Sequence, residues 1–187
     1  MRVIAGKFRS RPLRSLRGMD IRPTSDRLRE TLFNVLTAGN PDALLGSVWV
    51  DLFAGTGAVG IEALSRGAAQ VYFVESSKQA AEVIQENLRS LGIADGSEIL
   101  RTDSVRAISD LQHRGVAASF IFLDPPYAMC EAYSQTLSAL AESTLTDGAL
   151  IIAEHEKRFD PGEQFGGLVR SRKLVQGDAG LSFYQVR

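Results

Sequence analysis

Apolar residues recur along this chain in two rhythms. Short continuous runs, Val48–Leu52, Gln70–Glu75, Ser97–Arg101, Ala118–Leu123 and Ala149–Ala153, read as strands buried on both faces. Between them, apolar positions fall at helical spacing. Ile61, Ala63 and Leu64 follow the first run; Ala80, Val83, Ile84, Leu88 and Leu91 mark a helix over 77–91 stopped by Gly92. Val105, Ile108 and Leu111 mark another, capped by Asp103 and Ser104, and a further helix is expected over about 133–143. Strands alternating with helices predict a doubly wound, mostly parallel α/β sheet. Two extended stretches, Leu168–Val175 and Leu181–Val186, joined through Gly177–Gly180, predict an antiparallel hairpin closing the sheet edge.

Ahead of this pattern, Arg2–Gly6 reads as a short strand with Lys7–Leu13 as its hairpin partner. A helix then starts at Pro23-Thr24-Ser25-Asp26, with Thr or Ser as N-cap and Leu28, Leu32, Val35 and Leu36 as its buried stripe; Gly39-Asn40-Pro41 ends it. The expected organisation is a basic extension over 1–40 and a main domain over 41–187.

Composition changes this picture little, and charge changes it more. The chain has 187 residues, 44% hydrophobic and 23% charged, as for one ordinary globular domain. No apolar run is long enough to span a membrane and the N-terminus lacks a signal-peptide core, so a cytoplasmic protein is expected. Cys130 is the sole cysteine and excludes an internal disulfide, while His113 and His155 stand far apart and make no zinc site. The net charge of −1 hides an asymmetry: residues 1–30 hold nine Lys/Arg against three acids, and the remainder holds 12 basic and 19 acidic residues. A basic arm on an acidic body points to a polyanionic partner. Its candidate contacts are Arg2, Lys7, Arg9, Arg11, Arg14, Arg17, Arg22 and Arg27.

The chemistry concentrates at strand ends. Asp51-Leu52-Phe53-Ala54-Gly55-Thr56-Gly57-Ala58-Val59-Gly60 runs from an acid through a glycine loop into a helix, matching G-x-G-x-x-G, and Glu75 closes the next strand. This suits a dinucleotide or S-adenosylmethionine equally: Glu75 holds a ribose in either case, and Asp51 accepts from an ammonium group that only the latter carries. Asp124-Pro125-Pro126-Tyr127 favours the second. Two prolines remove two N–H donors, leaving the Asp124 carboxylate and the Pro125 carbonyl as acceptors. An exocyclic base amine has two N–H groups to give; accepting both aims its lone pair at an electrophilic methyl, while Tyr127 offers a stacking face. An oxidoreductase has no use for that loop, and a non-catalytic RNA-binding protein has no need of it.

These stretches resemble the RsmD-type family, bacterial methyltransferases acting on a guanine N2 amine of 16S ribosomal RNA. The resemblance is carried by Arg2–Gly6, Arg22–Asn34, Asp51–Gly60 with Glu62–Ala68, and Asp124–Tyr127, the Arg22–Asn34 stretch being the most family-specific; Leu28 stands where the family pattern has Val. It implies a seven-stranded class I methyltransferase (Rossmann-like) sheet with a small N-terminal extension. It further implies S-adenosylmethionine held by Asp51, Phe53, Gly55, Thr56, Gly57, Glu75 and Ser76, with Asp103 and Ser104 near the adenine. The target base would sit at Asp124, Pro125, Pro126 and Tyr127, with Thr24 and Asn34 helping to close the site and no metal involved. The partner implied is 16S rRNA, within an assembled or assembling small subunit. The amine-binding loop alone leaves adenine N6 or a protein glutamine amide open as substrates. His155 is expected at the surface and Cys130 as a packed thiol.

Overall fold

The computed structural model describes residues 1–16 and 25–187. Helix α1 (Asp26–Thr37) leads into β1 (Val48–Leu52), α2 (Ala58–Ser65), β2 (Gln70–Val74), α3 (Lys78–Leu91), β3 (Ser97–Leu100), α4 (Ser104–His113), β4 (Phe120–Leu123), α5 (Cys130–Ala141) and β5 (Leu150–Glu156). Three further strands, β6 (Gln164–Phe165), β7 (Leu168–Gln176) and β8 (Ala179–Val186), complete one eight-stranded sheet in the order β3-β2-β1-β4-β5-β8-β7-β6. The first five strands pair in parallel; β8 inserts antiparallel between β5 and β7. Strand order reverses between β1 and β4, where Leu52 pairs with Leu123. In such sheets ligands bind at that crevice.

The expected α/β architecture stands, with one strand more than the seven implied. The addition is β6, two residues long, pairing with the start of β7. Flanked by Pro161, Gly162 and Gly166, it is too short to show a period.

Two apolar clusters cover the two faces of the sheet. One joins α1, α2 and α3 to Trp49, Phe73 and Phe122, and includes Val3 and Leu13 of the N-terminal segment. The other joins α4 and α5 to Val50, Leu52, Ile121 and Leu123. Trp49 is fully buried, with the rings of Phe33 and Phe120 centred 5.4 and 4.9 Å away. Caps fall where small polar residues predict them: Ser25 accepts from Leu28 N–H, Ser77 from Ala80 N–H and Asp103 from Arg106 N–H. The inward stripe of α4 is Ser104, Ala107, Ile108 and Leu111; Val105, expected inside, is 44% exposed because it lies on the helix's outer side. No helix among the described residues is long and apolar enough to cross a membrane.

The N-terminal segment returns antiparallel on itself as expected, though as a single bridge, Arg2 with Pro12, rather than two regular strands. Val3 N–H donates to the Arg11 carbonyl, Ser10 N–H to the Val3 carbonyl and Leu13 N–H to the Met1 carbonyl. Between these, the donors of Ile4, Ala5, Lys7 and Phe8 turn to α2. The buried Glu62 carboxylate accepts from Ile4 N–H (2.8 Å), Ala5 N–H (3.0 Å) and Arg66 Nε (2.8 Å). Ser65 accepts from Phe8 N–H through its hydroxyl (2.9 Å) and from Lys7 N–H through its carbonyl (2.7 Å). Arg29, counted with the basic arm, is in fact buried in α1, where its Nη2 donates to the Arg2 carbonyl (2.6 Å) and to Asp26 (2.8 Å). Burial holds its pKa below the ordinary arginine value.

Removing a buried carboxylate that satisfies three partly buried donors leaves all of them unpaired. Glu62→Ala is expected to lower unfolding free energy by about 3–5 kcal/mol in urea titrations. Glu82→Ala, which breaks the exposed Lys78–Glu82 pair, should change it by at most about 0.5 kcal/mol. Similar effects for the two would contradict the assignment.

Candidate functional site

Three loops meet at the carboxyl ends of the parallel strands. The first leaves β1 through Asp51 and reverses at Phe53 (φ 62°), Gly55 and Gly57 before entering α2. Gly57 caps the helix at φ 77°, a left-handed conformation that a side chain disfavours. A β-carbon at Gly60 would run into the Phe73 ring, so this glycine lets α2 pack closely on β2. Phe53 is the strained residue here, a bulky side chain in the left-handed region beside the crevice between β1 and β4.

Asp51 is buried, and its carboxylate accepts from Gly60 N–H at 2.9 Å. Burial, with the nearby Glu75 charge adding to it, pushes its pKa up to about 7 against the opposing hydrogen bond. Glu75, half-buried just past β2, accepts from Gly55 N–H and Ser77 N–H, each at 2.8 Å, and so joins the glycine loop to the start of α3. Thr56 is buried; its carbonyl accepts from Asn87 Nδ2 at 3.0 Å, and the same Asn87 brackets the Arg14 backbone, accepting from its N–H at 2.7 Å. Asn87 therefore joins the glycine loop to the N-terminal segment. Ser76 is exposed between Glu75 and Ser77.

Asp103 and Ser104 have local duties. Asp103 caps α4, and the buried Ser104 hydroxyl bonds Thr136 of α5 at 2.8 Å, inside the helix layer.

The second loop leaves β4 as Asp124–Tyr127. Pro125 is buried, Pro126 exposed, and Asp124 and Tyr127 half-buried. The Tyr133 hydroxyl gives its proton to the Glu154 carbonyl at 2.9 Å and stands 3.5 Å from the Pro125 carbonyl. Burial, then the charges of Asp124 and Tyr127, raise the Tyr133 pKa, so it is a neutral donor beneath the loop. Asp124, Tyr127 and Glu154 each have interactions within the protein. Cys130, expected to be packed, is exposed at the start of α5, its thiol 3.6 Å from the Tyr127 carbonyl, because it lies on the helix's outer turn.

The third loop follows β5. Glu154 is 3% exposed and lines a cavity of about 230 Å³ with Ser25, Arg27, Leu28, Tyr127 and the β7–β8 turn. The sequence reading passed over Glu154, although it carries the signal that singled out Asp51, Glu75 and Asp124: an acid ending an apolar strand. His155, expected at the surface, is fully buried, since β5 continues through it to pair with Gly180. Its Nδ1 lies 2.8 Å from the Glu156 carbonyl, which can only accept, so Nδ1 carries the proton and Nε2 accepts from Ser182 at 3.0 Å. Burial lowers its pKa and keeps the ring neutral.

The basic residues divide. Arg2, Arg9 and Arg27 line one groove between the N-terminal segment and α1, together with Asp26 and Glu30. Arg11 donates to the Ser90 carbonyl and Arg14 pairs with Glu86, so both lie against α3, while Lys7 follows the turn held at the end of α2. Asn34 is exposed two turns along α1 and lines neither cavity. Arg17, Arg22 and Thr24 lie outside the described residues.

The raised pKa of Asp51 has a sign that can be measured. The folded protein keeps a proton that the unfolded chain releases near pH 4, so stability falls as pH rises from about 4 to about 7 and then levels. Asp51→Asn keeps an acceptor for Gly60 but removes the titration. Relative to the native protein it should gain stability above about pH 7, by on the order of 4 kcal/mol at most, with the gain shrinking toward pH 4. Urea titrations at about pH 4.5 and pH 8 giving the same difference would contradict this.

The family described as conserved hypothetical protein 95 matches residues 1–185. Ribosomal RNA small subunit methyltransferase D of Escherichia coli strain K12 is 36% identical over 186 residues, covering 99% of this chain and 89% of its own. The protein of the same name from Haemophilus influenzae is 38% identical over 159 residues, covering 84% and 79%. Among solved structures, yhhF from Escherichia coli superposes with a TM-score of 0.81 at 30% identity, covering 100% of this chain and 98% of that one. The chain belongs to this family, the one that holds the ribosomal RNA small subunit methyltransferase D proteins.

Proposed function

We propose that this protein transfers a methyl group from S-adenosylmethionine to the exocyclic N2 amine of a guanine in small-subunit (16S) ribosomal RNA. The observation that carries the reading is the adjacency of the two loops: β1 and β4 are neighbours, Leu52 pairs with Leu123, and the glycine loop and Asp124–Tyr127 leave the sheet side by side. Methyltransferase relatives named for small-subunit rRNA support it.

The residues suit the cofactor. A side chain added at Gly55 would meet nothing closer than 4.0 Å, so the loop backbone is open to close approach, and two acids at the ends of β1 and β2 flank it. Asp51 would accept from the methionine ammonium, Glu75 from the ribose hydroxyls, and the Phe53–Gly57 loop would border the rest. Asp103 and Ser104 would approach the adenine through their backbone, since their side chains are engaged in the helix layer. When bound, the cofactor supplies an electrophilic methyl group on a sulfonium.

The chain's own residues orient the acceptor. Asp124 and the Pro125 carbonyl take the two N–H bonds of the amine, which turns the nitrogen lone pair away from the ring. Tyr133 spends its proton on Glu154 and so leaves the Pro125 carbonyl able to accept. Tyr127 stacks on the base, which must leave any helix to reach the site. Such a displacement needs positioning more than acid–base work. Asp124 stabilises the positive charge that develops on nitrogen, and the surplus proton leaves through it to water.

RNA is held by the extension over 1–40 while the domain over 41–187 reads the base. Arg2, Arg9 and Arg27, sharing one groove, are the phosphate contacts best supported by position. Replacing the three with Gln should weaken RNA binding and lower the slope of log affinity against log salt by about 2–3. An unchanged slope removes the groove from the reading.

The decisive assay follows labelled methyl transfer to small subunits and to naked rRNA. Label should appear on guanine N2, and Asp124→Ala should lower kcat by about 10²-fold or more with cofactor binding retained. Label on DNA or on protein amides, with none on RNA, would overturn the substrate.

A further inference from the structure

The strand register brings a second carboxylate to the base-binding loop. Leu123 of β4 pairs in parallel with Ala153 of β5, and continuing that register sets Asp124, the first residue past β4, beside Glu154 of β5, where neighbouring strands run about 4.8 Å apart. Side chains alternate across a sheet. Phe122 and Ile152 belong to the cluster on the α1 side, Leu123 and Ala153 to the opposite one. Asp124 and Glu154 therefore both face α1, as Asp51 does. Glu154 lines the cavity with Tyr127, Arg27 and the β7–β8 turn while remaining 3% exposed, so a base entering there meets it out of bulk water.

Two carboxylates in a row accept from donors in a row. On the Watson–Crick edge of guanine the N2 amine is followed by N1–H, a second donor. Adenine follows its amine with N1, a lone pair; cytosine follows its amine with N3, and a glutamine amide with a carbonyl oxygen. Each of these would set an acceptor against a buried carboxylate, an unpaired arrangement that costs far more than a missing contact. We infer that Glu154 is the specificity residue for guanine, accepting from N1–H while Asp124 holds the N2 amine. The inference rests on the methyl-transfer reading above and extends it to how the base is chosen.

The test uses 2-aminopurine, which keeps the N2 amine and has a lone pair at N1. The methylated guanine is mapped by mass spectrometry, then replaced by 2-aminopurine in otherwise identical rRNA. Native protein should methylate guanine about 10²-fold or more faster in kcat/KM than 2-aminopurine. Glu154→Gln can turn its amide N–H toward a lone pair, so the preference should collapse to within about 10-fold, with the guanine rate falling. A variant that slows both substrates equally, with the preference intact, overturns the inference and gives Glu154 a structural role. Native protein accepting both bases alike overturns it without any variant, and so does not depend on how Glu154→Gln folds. Both outcomes leave guanine methylation standing; failure of the native protein to label any guanine N2 is the separate result that removes the methyl-transfer reading itself.

Discussion

The Glu62 carboxylate holds the two halves of the molecule together. It lies on α2, the helix entered from the glycine loop, and it receives two consecutive backbone N–H groups from Ile4 and Ala5 together with Arg66. A buried carboxylate is tolerable only with its lone pairs engaged, and these three donors engage them. The short antiparallel return of the N-terminal segment holds it only to itself, and it is this ionic socket with the neighbouring Ser65 that fixes it to α2. At the other end of the segment, Asn87 bonds Arg14 and Thr56 together. The groove holding Arg2, Arg9 and Arg27 and the loop after β1 are thus referenced to the same helix pair, so the proposed RNA contacts and the proposed chemical site share one frame.

Acids closing apolar strands define the working edge. Asp51, Asp124 and Glu154 all project to the α1 side, and Glu75 borders the same crevice. Burial raises the pKa of Asp51, and the nearby Glu75 charge adds to that rise. The concentration of acids at this edge suits a reaction in which a cation is consumed and positive charge grows on nitrogen. Tyr133, anchored to the β5 backbone under the Asp124 loop, couples the geometry of one acidic strand end to the next.

The parallel strands were legible because burial on both faces leaves a continuous apolar signature with an acid or a glycine at its end. Caps at Ser25, Ser77 and Asp103 followed from the residues that accept from a helix's first N–H groups. What the sequence concealed was polar residues buried by partners distant along the chain. Glu62, Arg29 and Asn87 stand at inward positions of their helices, but their polarity hides this, since nothing local shows the partners that make a buried charge or amide tolerable. The return of Arg2–Leu13 on itself was readable, but not that the donors at its bend turn to a helix some sixty residues away. Of the proposed site, the Asp51 loop, Glu75 and Asp124–Tyr127 were readable as strand-end chemistry. Glu154 was hidden by continuing strand: β5 runs on through His155, so its acid looked like part of an apolar run's frayed end.

The insertion of β8 between β5 and β7 sets an order of events in folding. The parallel half of the sheet, β1 to β5, is complete by Glu156, whereas β8 begins only at Ala179, so in a chain made from its N-terminus the β5–β8 pairing comes after the others. The turn that precedes β8 supplies the outer wall of the cavity beside Tyr127. A nascent chain therefore has its glycine loop and its acidic strand ends before that cavity has its outer wall, so the cavity is the last part of the edge to mature.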